Sequence, residues 1–325
     1  MKTSTIIEIA VLIILIGVAY TFLQPPSEET FSSQPTDLSG KGTNMLETSV
    51  PLIEKNARWG KTNLMVYIDE RNSEYTSDYL RKYIDNFFDG ANILSDSIGN
   101  KIMFTRTTNP DLADIEVKWV EHLRSDSLDA IGHAELNFTV TRSFSVINKA
   151  NIELLTTKDN VKLNGDQMVA LSMHELGHAI GLGHSQNKQS IMYPEAQSDV
   201  IEPDDIDVQS ILEAYRLDPL PDLYVSEADF SKRIVTRSII KQYLYDGTVV
   251  ITNDGLSESG TFMFVIEAGK DSLEQEGKSL RPGESIVLTL ENVNAEEDFS
   301  SIRIYVDRNN LIEELDENNL HTALV

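Results

Sequence analysis

The chain has 325 residues, 27 of them Lys or Arg and 52 Asp or Glu, for a net charge of −25. That length accommodates two ordinary domains, each with its own core, and an acid excess of this size excludes nucleic acid as a partner, because phosphates would be repelled. No cysteine is present, so neither a disulfide framework nor a thiolate ligand is available.

Lys2 precedes Ile9 to Leu23, an uncharged and largely apolar run that Ile6 and Ile7 extend across Glu8. A helix crossing the ~30 Å hydrocarbon core needs about 20 residues. Residues 1–24 therefore read as a single-pass transmembrane signal anchor, with Lys2 on the cytoplasmic side and the acidic remainder outside. A cleaved signal peptide is the other reading, since Gly17-Val18-Ala19 offers small residues at a suitable separation. The anchor is preferred because apolar residues continue beyond that point. Either route places the chain outside the cell membrane. Residues 25–57 are rich in Pro, Ser, Thr and Glu and read as a disordered linker, too short for an obvious folded prodomain.

In residues 58–218, Tyr79, Tyr83, Ile84, Phe87, Phe88 and Ile93 recur near a period of 3.6, predicting an amphipathic helix from Ser77 to Asp96 that Gly99-Asn100 closes. Short β-rich runs follow at Ile102 to Thr107, Ile115 to Val120, Gly132 to Val140 and Asn151 to Thr156. A second helix is expected from Gly165-Asp166, with Asp166 as N-cap, to Ile180. A third carries Ile206, Ile211, Leu212 and Tyr215 as its buried stripe.

The second helix holds the chemistry. His174 and His178 are four apart, so they lie one turn above the other on one helix face, where two imidazoles reach one ion. Glu175 is rotated away from them and can hold a water without being a ligand. Gly181 lets the helix end and the chain swing back to bring His184 to the same ion. Three neutral nitrogens then hold one catalytic zinc and leave a fourth position to water, the arrangement of a metal-dependent hydrolase with Glu175 as general base. The plain alternative is a helix with surface histidines. Five fixed positions of these types match by accident in on the order of one chain in 10⁵, which rules against it.

His174-Glu175-Leu176-Gly177-His178 through His184 resembles the extended zinc motif of the metzincin metallopeptidases, and Ser190-Ile191-Met192-Tyr193-Pro194 is similar to the Met-turn of their matrixin branch. The resemblance implies that the Met192 thioether packs beneath the histidines and that Pro194 helps wall the pocket for the residue after the scissile bond. Ala196 stands where matrixins usually carry a tyrosine. Arg58-Trp59 with Leu64-Met65-Val66-Tyr67-Ile68 resembles the first strand of that family, and Asp204-Asp205-Ile206 the start of its last helix. The implied fold is α+β, a twisted five-stranded mixed sheet with three helices. The absence of cysteine excludes the thiolate latency of animal matrixins. Those relatives also carry a structural zinc site in the neighbourhoods of His122 and His133. Asp126 could contribute here, but Asn151-Ile152-Glu153 stands where a third histidine is expected, so a second structural zinc or calcium site is incomplete.

From residue 219 to 325 the pattern becomes a run of strands. Leu223-Tyr224-Val225, Thr248 to Thr252, Phe262 to Glu267, Ser285 to Leu290 and Ile302 to Val306 alternate between turns such as Asn253-Asp254-Gly255 and Arg281-Pro282-Gly283. This spacing predicts an immunoglobulin-like β-sandwich. Its opening Asp218 to Leu223 and its closing Val306 to Asn319 resemble the CARDB family of prokaryotic cell-surface modules. Asp307 to Asn319 reads as a polar hairpin, with a calcium loop as the alternative, although the glycine and full ligand alternation of such a loop are missing. The expected protein is a membrane-tethered zinc endopeptidase acting on extracellular protein or peptide, its sandwich positioning substrate or engaging a cell-envelope partner. The competing reading is an adhesion protein that uses the metzincin domain as an inactive scaffold.

Overall fold

The structure, a computed structural model, describes residues 21–23, 29–32, 49–70, 77–120, 122–123, 130–158, 161–194, 200–237, 240–295 and 298–325. In chain order, the first half contains β1 (Thr21–Leu23), β2 (Glu29–Ser32), β3 (Ala57–Trp59), β4 (Asn63–Asp69), α1 (Ser77–Ser97), β5 (Met103–Thr107), β6 (Ile115–Trp119), β7 (Gly132–Val140), β8 (Ser145–Leu154), β9 (Thr157–Lys158), β10 (Val161–Lys162), α2 (Gly165–Ala179) and α3 (Asp205–Ala214). The sheet runs β7-β8-β6-β4-β5, with β8, β6, β4 and β5 parallel and β7 antiparallel. This is the mixed five-stranded sheet and trio of helices expected. It is enlarged by β2 beyond β7 and by β3 alongside the start of β8.

Alternation puts Leu64, Val66 and Ile68 of β4 and Ile115, Val117 and Trp119 of β6 on the buried face. Leu80, Tyr83, Ile84, Phe87, Ala91 and Leu94 of α1 join them in one core with α2. Three details depart from the sequence reading. Strand β8 begins at Ser145 rather than Asn151, because its first half pairs with β7 and β3 despite the polar Asn148 and Lys149. Asn164, not Asp166, caps α2, in a reciprocal box with Gln167. Leu212 is exposed on α3, whose buried face is carried by Ile211 and Tyr215.

The second half contains β11 (Leu223–Arg237), β12 (Ile240–Asn253), β13 (Phe262–Ala268), β14 (Asp271–Gly277), β15 (Ser285–Ala295), β16 (Ser301–Val306) and β17 (Leu320–Leu324). They form two four-stranded sheets, β1-β15-β12-β11 and β14-β13-β16-β17. Val249, Ile251, Phe264, Ile286, Leu288, Ile304 and Val306 fill a separate core. The strands β14 and β17 were not anticipated. Both lie at a sheet edge, and the polar Asp271–Gly277 stretch has no apolar alternation to read.

Residues 1–20, where most of the expected anchor falls, lie outside the described residues. No described helix is long and apolar enough to cross a membrane. Thr21–Leu23 pairs with β15, and Glu29–Ser32 from the expected linker pairs with β7. Composition does not forbid this, because a sheet edge offers backbone groups to any extended segment.

The two halves are joined by more than the connection after α3. The turn between β7 and β8 lies against Asp254, whose carboxylate accepts from Arg142 N–H at 2.6 Å, Arg142 Nε at 3.2 Å and Ser143 Oγ at 2.7 Å. The Arg142 guanidinium also sits over the Tyr224 ring, 4.4 Å from its centroid.

Candidate metal centre

Helix α2 is apolar nearly all round, and from Met168 to Ala179 only His174 is not buried, so packing locks the backbone that carries His174, Glu175 and His178. Its last carbonyls would be orphaned by the end of the helix. Trp59 Nε1 donates to Ala179 O at 2.8 Å, and Tyr215 Oη donates to Ile180 O at 2.9 Å. Arg58 is buried over the Tyr215 ring and donates to Leu217 O. The Arg58-Trp59 pair thus secures the C-terminal end of the helix.

The chain turns back at Gly181, whose φ of +101° is in the region closed to most side chains. A Cβ there would also lie 2.4 Å from Ala57 O. The returning segment is braced by the residues before β3. Gly181 O accepts from Ile53 N–H at 2.9 Å, Gly183 N–H donates to Pro51 O at 2.7 Å, and Leu182 bridges Leu52. This contact delivers His184.

The three imidazoles converge. Their ring centroids are 4.7 to 5.4 Å apart, and one ligand nitrogen from each lies within 4.8 Å of the others. His174 Nδ1 donates to Ile191 O at 2.7 Å and His178 Nδ1 to Leu182 O at 2.8 Å, which fixes both tautomers and leaves Nε2 as a lone pair. His178 Nε2 and His184 Nε2 are 3.2 Å apart. That nearly matches the ~3.3 Å edge of a tetrahedron with metal–nitrogen bonds of about 2.05 Å. Burial lowers the pKa of all three, His174 to about 4, so the rings are neutral as metal binding requires.

Glu175 is buried, with no partner for Oε2, and burial raises its pKa to about 8. Met192 is fully buried beneath α2. The turn that carries it hangs from α3. The Asp207 carboxylate accepts from Ser190 Oγ, from Ile191 N–H at 2.9 Å and from Asp204 N–H at 3.0 Å. Sequence reasoning overlooked Asp207 and the brace from residues 50–53. The three-residue spacing from Asp204 was a capping signal for the former; the brace leaves no local trace.

Residues 58–216 match the family described as Matrixin, and residues 220–323 the family described as CARDB. Residues 58–216 are thus matrixin-like and residues 220–323 CARDB-like. Karilysin of Tannerella forsythia is 26% identical over 146 residues, which are 43% of this chain and 29% of karilysin. The chain therefore spans under a third of that relative's length. A solved CARDB domain from Pyrococcus furiosus, in complex with di-metal ions, is 24% identical and covers 33% of this chain and 87% of its own, at a TM-score of 0.25.

Among the described residues the incomplete second site is not brought together. His133 is buried in β7 opposite Glu153 of β8, His122 is exposed, and Asp126 lies outside the described residues. Among the described residues, the histidine triad is the one group of three His, Asp or Glu side chains placed to hold an ion. Ala196 also lies outside them.

Proposed function

We propose that this chain is a zinc-dependent endopeptidase of the metzincin type that hydrolyses peptide bonds of extracellular proteins. The observation that carries this reading is the convergence of His174, His178 and His184 within 4.8 Å beside the buried Glu175. The all-nitrogen donor set, held neutral and aimed by backbone carbonyls, suits zinc. When bound, zinc would lower the pKa of a water towards ~7 and polarise a peptide carbonyl.

Glu175 does the proton work. It follows the first ligand by one residue, coordinates nothing itself, and its buried carboxylate has an unpartnered oxygen to receive a proton from the attacking water. Bound zinc would oppose the rise that burial gives its pKa and so favour the carboxylate form, which takes the proton and then hands it to the leaving amine. The three rings position the reacting groups, and burial keeps bulk water from competing. In this reading the enzyme faces the cell exterior, tethered through residues 1–24 or released after their cleavage, and the CARDB domain engages substrate or the cell envelope.

Glu175→Ala tests the proposal. The variant keeps zinc, because no ligand is removed, and loses about 10²- to 10⁴-fold in peptide hydrolysis. Equal cleavage by wild type and variant would reject the mechanism, and no cleavage by zinc-loaded wild type would favour the scaffold reading.

A further inference from the structure

The edge of the mixed sheet that starts beside the metal centre is taken by the chain itself. Strand β7 pairs with β8 on one side and with β2 on its outer side, antiparallel and in register from Glu29 opposite Phe138 to Ser32 opposite Glu135. Gly132, the first residue of β7, is so close to the proposed base that a Cβ on it would stand 2.2 Å from Glu175 Oε1. The stretch from Glu135 to Phe138 therefore lies roughly 10 to 20 Å along the strand from Glu175, at about 3.4 Å per residue.

An extended peptide crossing the histidine site has this edge beside it, and a sheet edge binds extended chains through their backbone with little regard to sequence. Each ladder position on an edge serves one partner strand at a time, so β2 and a long peptide exclude each other over Glu135–Phe138. Strand β2 has the advantage of attachment. Thr21–Leu23 before it is paired with Ser285–Val287 of β15, and Pro51 to Ile53 after it brace the turn that delivers His184. Held between those two points, it meets β7 as an intramolecular partner at an effective concentration on the order of millimolar.

We infer that β2 is an autoinhibitory strand: Glu29–Ser32 cover the outer edge of β7 and must leave it before a long peptide can lie across the metal centre. The inference rests on the peptidase reading of that centre, because it names what its substrates contend with. It assigns restraint to a backbone contact, which needs neither a cysteine nor a folded prodomain. Short peptides, which end before Glu135, escape the competition.

Thr30→Pro combined with Phe31→Pro tests it in the zinc-loaded full chain. Successive residues of a strand aim their N–H groups to opposite sides, so one of the two prolines must remove a donor to β7. Expected is hydrogen exchange of the Glu135–Phe138 amides faster by about tenfold or more. The KM for random fluorogenic decapeptides should fall about tenfold with kcat unchanged, while cleavage of random tetrapeptides matches wild type. Unchanged exchange would show that β2 does not hold the edge. Faster exchange with an unchanged decapeptide KM, or a gain shared equally by tetrapeptides, would show that substrates do not contest it; any of these overturns the inference. Cleavage of neither peptide by either protein, with exchange still altered, rejects the peptidase reading and takes the autoinhibition with it.

Discussion

Gly177 lies directly over the thioether of Met192: a Cβ on that glycine would stand 2.3 Å from the sulfur. The contact explains why the residue before His178 is the smallest available. It joins the helix that presents two ligands to the turn whose Ile191 carbonyl orients one of them.

Gly177→Ala should therefore expel the Met192 side chain and tilt the histidines apart. Overpacking of this kind costs about 1 to 3 kcal/mol. The expected outcome is a zinc affinity lowered by tenfold or more with the fold retained, measured by competition against a chromogenic chelator. Unaltered affinity would show that the sulfur support is dispensable.

Asp207 satisfies three donors from a fully buried position. In Asp207→Ala those donors lose their acceptor, and the Met-turn loses its anchor on α3. Urea denaturation should show a stability loss of about 3 kcal/mol, with Asp207→Asn less damaging because one acceptor oxygen remains. A variant as stable as wild type would contradict the anchoring role.

Between the domains, Asp254 is the pin. Its carboxylate is 2% exposed and serves Arg142 and Ser143. Asp254→Ala should cost about 2 kcal/mol and let the CARDB domain move against the matrixin domain. Small-angle scattering should report a larger radius of gyration, while cleavage of short peptides changes by less than about twofold, because the histidine site is untouched. An unchanged radius would mean that the remaining contacts suffice.

Burial, with Asp254 and Asp316 adding repulsion and Arg142 opposing it, raises the pKa of Asp222 to about 6. The folded state holds that proton more tightly than the unfolded chain, whose Asp titrates near 3.9. The group's contribution to stability is thus fully present below about pH 4 and lost as pH rises through 6. Asp222→Asn should remove this dependence, so that the variant gains stability relative to wild type between pH 4 and 7. A difference in urea midpoint that stays flat across that window would discount the shift.

Much of the site was legible in the sequence because its information is local. The i, i+4 pair His174 and His178, the intervening Glu175 and the glycine at 181 are placed by helix geometry and a single backbone requirement; strand pattern located β6, β7, β13 and β16 within a residue or two, and the resemblance to matrixins located β4. Edge strands were harder. In β14 and β17 stability comes from backbone pairing with one neighbour rather than from an apolar face, so side-chain pattern is weak or absent there.

The sequence by itself determined a three-histidine metal motif on a helix and a run of strands after it, from spacing and periodicity along the chain, and its resemblance to matrixins added the turn carrying Met192 and the α+β fold of the first half. Only the tertiary structure decided what holds those pieces in register: Pro51 to Ile53 against Gly181 and Gly183, Asp207 beneath the Met-turn, and Asp254 across the domain boundary. These relations join residues brought together by the fold, and hydrogen bonds formed after folding leave no period in the sequence from which to read them.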